Sequence, residues 1–354
     1  MLYPAPFFAP PTAQEHKPAF GTLPQNLRAQ ISAVCKSDIA DGISVYGSLS
    51  ATAGFAVTLA DGRRVFAKGS HPGEMSHATL HIKTEIQAYE TLPVLRGVAP
   101  AFVGVVSDGN EDGWTLGLWE YADKDVNAAV RMRAADIMRH VAAVHASAIP
   151  AAFTADARTH NYLSFFLRDE KKWRRIKDEP KIKNKLLGVF ENEDAAGTFF
   201  FGALETLCAL QAAAAGFDFK PGLIHGDLRL DNILLTDART YIVDWPNACR
   251  GPVVFDALML SVHLEAMGFG HAEEFLSLYD AEAGTRFAQT NSEELLIMAA
   301  SMAGFFADQV YRAVPEKMPR LRWMQKSLFF GLLSLMHRYG RIESPPRMSG
   351  LRHI

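Results

Sequence analysis

The chain has 354 residues, of which 49% are hydrophobic and 21% charged, and a formal net charge of −3 at pH 7. That length accommodates one large two-lobed domain or two ordinary ones, and the charge leaves neither a basic field for nucleic acid nor a strongly acidic one. Three widely spaced cysteines, Cys35, Cys208 and Cys249, are an odd set that suggests neither a disulfide framework nor a zinc site.

Residues 1–24 are proline-rich and non-periodic, which predicts an irregular arm; they lack the basic start of a secretion signal. No unbroken apolar run approaches the roughly 18 residues of a membrane span. The expectation is a cytoplasmic protein with neither membrane nor nucleic-acid partners.

Leu27 to Lys36 reads as a short helix, and Ile43 to Lys68 as strand-rich. Within it, Phe55–Ala60 and Arg63–Lys68 flank Asp61-Gly62, a signal for a two-residue hairpin. The small-residue stretch Val45–Gly54 reads as a loop between strands. His81 to Leu95 has helical spacing, with Ile82, Ile86, Tyr89 and Leu92 on one stripe. Two further strands are expected at Pro100–Val106 and Trp114–Tyr121.

Beyond Tyr121 the pattern becomes helical, with helices at Ala134–His145, at Ala203–Ala214 and repeatedly after Ala257. The basic run between Asp169 and Lys185 and the acidic Glu191-Asn-Glu-Asp194 read as solvated faces. This order predicts an α+β, bilobal chain: an arm (1–24), a β-rich N-terminal lobe (25–121) and a mainly helical C-terminal lobe (122–354), with a cleft between the lobes.

The most informative stretch lies at the start of the helical part. Leu223-Ile-His-Gly-Asp-Leu-Arg-Leu-Asp-Asn-Ile-Leu-Leu235 reads as strand, polar loop and strand, and Tyr241-Ile-Val-Asp-Trp245 follows as another strand ending in an acid. Asp227 and Asn232 stand five residues apart, and Asp244 follows twelve residues later. Phosphoryl transfer from a nucleotide asks for such a set: one carboxylate orients and deprotonates an attacking hydroxyl, while an amide and a second carboxylate hold Mg²⁺ on the phosphates. His-x-Asp pairs in loops are also common as plain turn chemistry. The flanking apolar strands and the Ile-Val-Asp ending favour the catalytic reading.

His225-Gly-Asp-Leu-x-x-x-Asn-Ile-Leu with Ile-Val-Asp-Trp downstream resembles the aminoglycoside phosphotransferase family, which includes choline-kinase-like enzymes and is distantly related to protein kinases. Gly226 and Trp245 favour this branch over a protein kinase. The resemblance runs from about Ile43 to Val262. It implies a protein-kinase-like fold, ATP (or GTP) as phosphate donor, Mg²⁺ held by Asn232 and Asp244, and a small-molecule hydroxyl as acceptor. Asp227 is then the base, and Arg229 a cation that stabilises phosphoryl charge. Val65-Phe-Ala-Lys68 resembles the strand that carries the phosphate-binding lysine, with Glu85 as its partner and Glu90 as the rival. Ser48 and Ser50, framed by Gly47 and Gly54, are expected over the phosphates. Trp119 and Tyr121 are expected to offer hinge backbone to the base. His225 orients the loop, Asp231 is solvated, and Asp256 braces the loop.

Two classes of function remain at this level. One is a small-molecule kinase; the other is a catalytically silent pseudokinase that binds nucleotide or partners. Lys68, Glu85, Asp227, Asn232 and Asp244 are all present, which favours the enzyme. The acceptor is unnamed by sequence, but ten acids balance ten basic residues from Ala257 to Ile354, so no acidic pocket for a polycation is evident there.

Overall fold

The computed structural model describes residues 6–46, 49, 52–71, 78–110, 113–123, 130–154, 166–167, 171–237 and 239–352. Helix α1 (Gln25–Cys35) starts directly after Pro24, whose fixed φ suits a helix entry, and stops at Lys36 in the left-handed region (φ 54°). Its buried residues Leu27, Ile31 and Cys35 recur every fourth position and form one stripe. Strands β1 (Ile39–Ser44), β2 (Ala53–Leu59), β3 (Arg64–Ser70), β4 (Phe102–Ser107) and β5 (Thr115–Glu120) make an antiparallel sheet in the order β1-β2-β3-β5-β4. Helix α1 packs against β4, and the stripe joins Phe55, Val57, Leu116 and Leu118 in a core belonging to this lobe.

The β2–β3 connection differs from expectation. Leu59 N–H donates to Arg63 O (2.8 Å), so the loop has three residues rather than two. A two-residue type I′ turn needs positive φ at both central positions, and here Gly62 alone supplies it (φ 86°).

Helix α2 (Ala78–Thr91) crosses behind β3, and the short α3 (Leu95–Val98) follows it. Ala88, Leu92, Leu95 and Val98 belong to the larger core of the C-terminal part, so α2 spans both halves. That core is built by α4 (Ala134–His145), α5 (Ala151–Thr154), α6 (Lys172–Asp178), α7 (Pro180–Leu187), α8 (Glu193–Ala213), α9 (Val253–Ala266), α10 (Ala272–Ala283), α11 (Glu293–Ala307) and α12 (Leu321–Arg338). Helix α9 is buried along its whole length and packs against α10 and α12.

Helix α8 starts at Glu193 rather than Ala203. Asn192 caps it by accepting from Ala195 N–H (2.9 Å), and Glu193 and Asp194 lie in the first turn, where the helix dipole favours acids. By length and composition α8 is apolar enough to cross a membrane, but Phe199, Phe200, Leu204 and Leu207 are buried in the core. Lys172, expected to be solvated, is 8% exposed with its ammonium 4.9 Å from the centre of the Phe305 ring.

The N-terminal arm is docked. Phe7 and Phe8 pack edge-on against Phe330 of α12, with ring centres 5.5 and 6.4 Å away, and Phe7 N–H donates to Ala266 O (2.8 Å).

Candidate active site

Two small strand pairs hold the loop that carries the acids. Strand β6 (Pro221–Ile224) pairs with β9 (Cys249–Pro252), and β7 (Ile233–Leu235) pairs with β8 (Thr240–Ile242). Between β6 and β7 the chain makes a loop that closes in a 3-10 turn, Leu230–Asn232.

The loop is clamped from beneath. Asp256, fully buried in the first turn of α9, accepts from His225 N–H (2.5 Å) and Gly226 N–H (3.0 Å). Gly226 has φ 81°, and a Cβ there would collide with the backbone oxygen of Asn247. Only glycine meets both conditions without strain.

His225 Nε2 lies 2.9 Å from Val243 O, which can only accept, so the proton sits on Nε2 and Nδ1 accepts from Asp227 N–H (3.2 Å). Burial lowers the pKa of this imidazole and keeps it neutral. As expected for His225, its contacts set loop geometry.

Three clamping residues escaped the sequence reading. His145 on α4 reaches Asp256 through Nε2 (3.3 Å) and Tyr279 through Nδ1 (2.7 Å). His263 on α9 accepts from Leu230 N–H through Nδ1 (3.0 Å), and burial pushes its pKa down to about 4. Isolated histidines and a tyrosine in apolar helices carry no local signal of such contacts.

Asp227 emerges from this clamp beside Arg229, whose Nη1 lies 2.9 Å from Asp227 Oδ1. The same guanidinium grips Asp231 with Nε (3.0 Å) and Nη2 (3.1 Å). Asp231, expected to be solvated, is thus an ion-pair partner with 16% of its side chain exposed. Burial drives the Asp227 carboxyl up to about 7; Asp231, Asp244 and Asp256 add to the rise, and Arg229 opposes it. Asn232 donates its Nδ2 to Asp227 O (2.8 Å), which leaves its amide oxygen as the group able to face a cation.

Asp244 follows β8 with φ 71°, a strained backbone for a residue with a Cβ. The strain aims its carboxylate at Lys68 on β3, with Oδ1 2.5 Å from Nζ. Lys68 also meets Glu85 Oε2 on α2 (2.8 Å), and Glu85 Oε1 accepts from Trp245 N–H (3.3 Å). Burial alone would depress the Lys68 pKa, but Asp244 and Glu85 outweigh it and hold the ammonium charged. The same cation holds Asp244 below the usual carboxylate range against the opposing effect of burial. Glu90, the rival partner, is exposed.

Two cavities meet at this triad. One is lined by Gly54, Lys68, Trp119, Tyr121, Asn232 and Asp244 among others. The other is lined by Asp227, Arg229, Asp244, His81, Asn247 and Leu321 among others. Thr52, Lys68, Glu85 and Asp244 line both. Ser48 and Ser50 lie outside the described residues.

At the expected hinge, Tyr121 N–H donates to Arg64 O (3.2 Å) and Glu120 N–H to Ala101 O (2.8 Å). These two N–H groups are thus engaged within the lobe, and Tyr121, with Trp119, lines the first cavity. The Tyr121 ring packs under the Arg64 guanidinium (3.8 Å). Trp119 is 4% exposed and lines the cavity; its indole packs against Tyr89 and Phe102 (ring centres 5.5 and 5.7 Å).

No curated protein matches the chain in sequence. Among solved structures, spectinomycin phosphotransferase in complex with ADP and spectinomycin superposes with a TM-score of 0.62 at 11% identity, covering 90% of this chain and 98% of that one. An aminoglycoside phosphotransferase in complex with ADP and hygromycin B gives 0.55 at 14% identity, covering 89% and 99%. Choline kinase LicA from Streptococcus pneumoniae gives 0.53 at 15% identity, covering 86% and 98%. At these identities the likeness is one of fold, and that fold is the protein-kinase-like one. The profile of the phosphotransferase enzyme family matches residues 45–293, a span that includes every residue of the two clusters around Asp227 and Lys68. The chain belongs to the phosphotransferase enzyme family.

Proposed function

We propose that this chain is a Mg²⁺-dependent kinase that moves the γ-phosphate of ATP (or GTP) to a hydroxyl of a small molecule, with lobes at 25–121 and 122–354. One observation carries the reading. Asp227 and Arg229 line the second cavity, Asn232 lines the first, and Asp244 lines both. Base and acceptor hydroxyl then share one side, and donor phosphates and cation ligands the other.

Asp227 accepts the proton of the hydroxyl, and a carboxyl with a pKa of about 7 suits that task near neutral pH. Arg229 holds the carboxylate in place and puts a fixed cation beside the transferring group. Lys68, kept charged by Asp244 and Glu85, faces the donor phosphates. The amide oxygen of Asn232 and the carboxylate of Asp244 are hard oxygen donors of the kind Mg²⁺ takes. When bound there, Mg²⁺ would neutralise phosphate charge.

The acceptor we infer is neutral or weakly charged, with an apolar face. Leu49, Ile82, Pro246 and Leu321 line that cavity. Its carboxylates among the described residues, Glu85, Asp227 and Asp244, are each committed to Lys68 or Arg229. A polycationic aminoglycoside needs uncommitted carboxylates in a partly desolvated site. Glu191, a conceivable source, pairs with Arg347 and lines neither cavity.

The test is nucleotide consumption by purified protein with a panel of aminoglycosides, other hydroxylated antibiotics, amino alcohols and sugars. The expected result is turnover of a weakly charged hydroxyl compound above that of kanamycin-like sugars. Nucleotide binding without turnover of any acceptor would favour the silent pseudokinase instead.

A further inference from the structure

The arm before α1 crosses from one lobe to the other in three residues. Glu15 is 1% exposed and forms an ion pair with Arg320, just before α12, with Arg320 Nε 2.8 Å from Glu15 Oε1. His16 N–H donates to Lys317 O (3.3 Å) on the same side. Two residues on, Pro18 O accepts from Ser44 Oγ (2.9 Å), and Ser44 Oγ in turn accepts from Phe20 N–H (3.0 Å) at the end of β1. Lys17 stands at the crossing, and its Nζ donates to Thr52 O (3.1 Å).

That position is informative because Thr52 lines both cavities, as do Lys68 and Asp244. The wall shared by a donor site and an acceptor site is where the transferring phosphate must pass. Lys17 itself lines the nucleotide cavity. Its ammonium therefore reaches the backbone of a residue that lines both cavities.

We propose that Lys17 is a nucleotide-binding residue: a second cation, delivered by the N-terminal arm, that contacts the terminal phosphates of a nucleoside triphosphate. The inference rests on the kinase reading above. The buried Glu15–Arg320 pair anchors the arm on the C-terminal lobe, and Ser44 anchors it on the sheet. An ammonium on a short, doubly tethered segment loses little freedom when it meets an oxyanion, which favours binding. A contact to the terminal phosphates also makes the lysine sensitive to how many phosphates the nucleotide carries.

Two measurements test this. In calorimetric titrations with Mg²⁺, Lys17→Met should raise the Kd for ATP about tenfold, the size of one charged phosphate contact, and leave the Kd for adenosine within about twofold. Lys17→Arg should restore most of the loss. Unchanged ATP binding, or equal losses for ATP and adenosine, overturns the proposal. In the unmutated chain, amine acetylation read by mass spectrometry should show ATP, but not adenosine, protecting Lys17, with exposed Lys36 as reference. No protection of Lys17 by ATP, where the titration shows that the unmutated chain binds ATP, overturns this inference and leaves the kinase reading intact. No ATP binding by the unmutated chain overturns both.

Discussion

The Nη1 of Arg229 lies 2.9 Å from Oδ1 of Asp227, and the rest of the same guanidinium is clamped by Asp231. The cation is held by one carboxylate and presented to another. Its effect on Asp227 opposes that of burial, which sets the carboxyl near 7. Under the proposed function, the arrangement links base strength, base position and transition-state charge in one side chain.

Asp227→Asn should keep nucleotide affinity while kcat falls roughly 10²-fold or more, because the amide keeps the shape but cannot take a proton. For the unmutated enzyme, the base is protonated at low pH, so kcat/KM should rise as pH passes through about 7 and then level off. Arg229→Gln removes the group that lowers this pKa, so the rising limb should move to higher pH. A limb centred below pH 5, or near-normal turnover by the Asn variant, would remove Asp227 from the role.

Lys68, Glu85 and Asp244 should behave as one unit. Lys68→Met and Glu85→Gln should each lower kcat/KM roughly 10²-fold, and the double variant should cost little more than either single. The physical reason is that each partner fixes the other: the ammonium sits 2.8 Å from Glu85 and 2.5 Å from Asp244. Additive losses in the cycle would show that the pair does not act together.

Gly226→Ala and Gly62→Ala make a matched contrast. Both glycines have positive φ, 81° and 86°, but a Cβ at Gly226 meets the Asn247 backbone whereas at Gly62 it meets open space. Gly62→Ala should cost about 1–2 kcal/mol of stability with kcat unchanged. Gly226→Ala should cost more and also lower kcat, because relief of the clash displaces the residue before Asp227. Urea unfolding and steady-state kinetics on the two variants decide it; equal stabilities and equal rates would count against the close-approach argument.

His263 ties stability to pH. Its folded pKa of about 4 lies below the ordinary histidine value of 6.5, so the unfolded chain binds the proton more tightly. The neutral ring's contribution is present above pH 6.5 and is lost as pH falls toward 4, on the order of 3 kcal/mol over the window. His263→Gln can still accept from Leu230 N–H but does not titrate. The stability difference between the parent and this variant should therefore shift in favour of the variant between pH 7 and pH 5. A difference independent of pH would mean that His263 is not buried neutral.

The sequence by itself determined the elements and the chemical set. Periodicity placed α2 and α4, the resemblance to the family's pattern singled out Glu85 over Glu90, and the structure buries Glu85 while Glu90 is exposed. Asp227, Asn232 and Asp244 were legible because phosphoryl transfer needs oxygen donors at short spacing around a hairpin, which is a local property of the chain. Tertiary structure decided what lies across long separations. Lys68 meets Asp244 over 176 residues, His145 meets Tyr279 over 134, and Glu15 meets Arg320 over 305. A lone histidine, lysine or glutamate has no period to announce such a partner. It also decided the local outcomes that packing overrules: the three-residue β2–β3 loop, the paired Asp231, the buried Lys172 and the tethered arm that carries Lys17 to the cavity lined by Lys68 and Asn232.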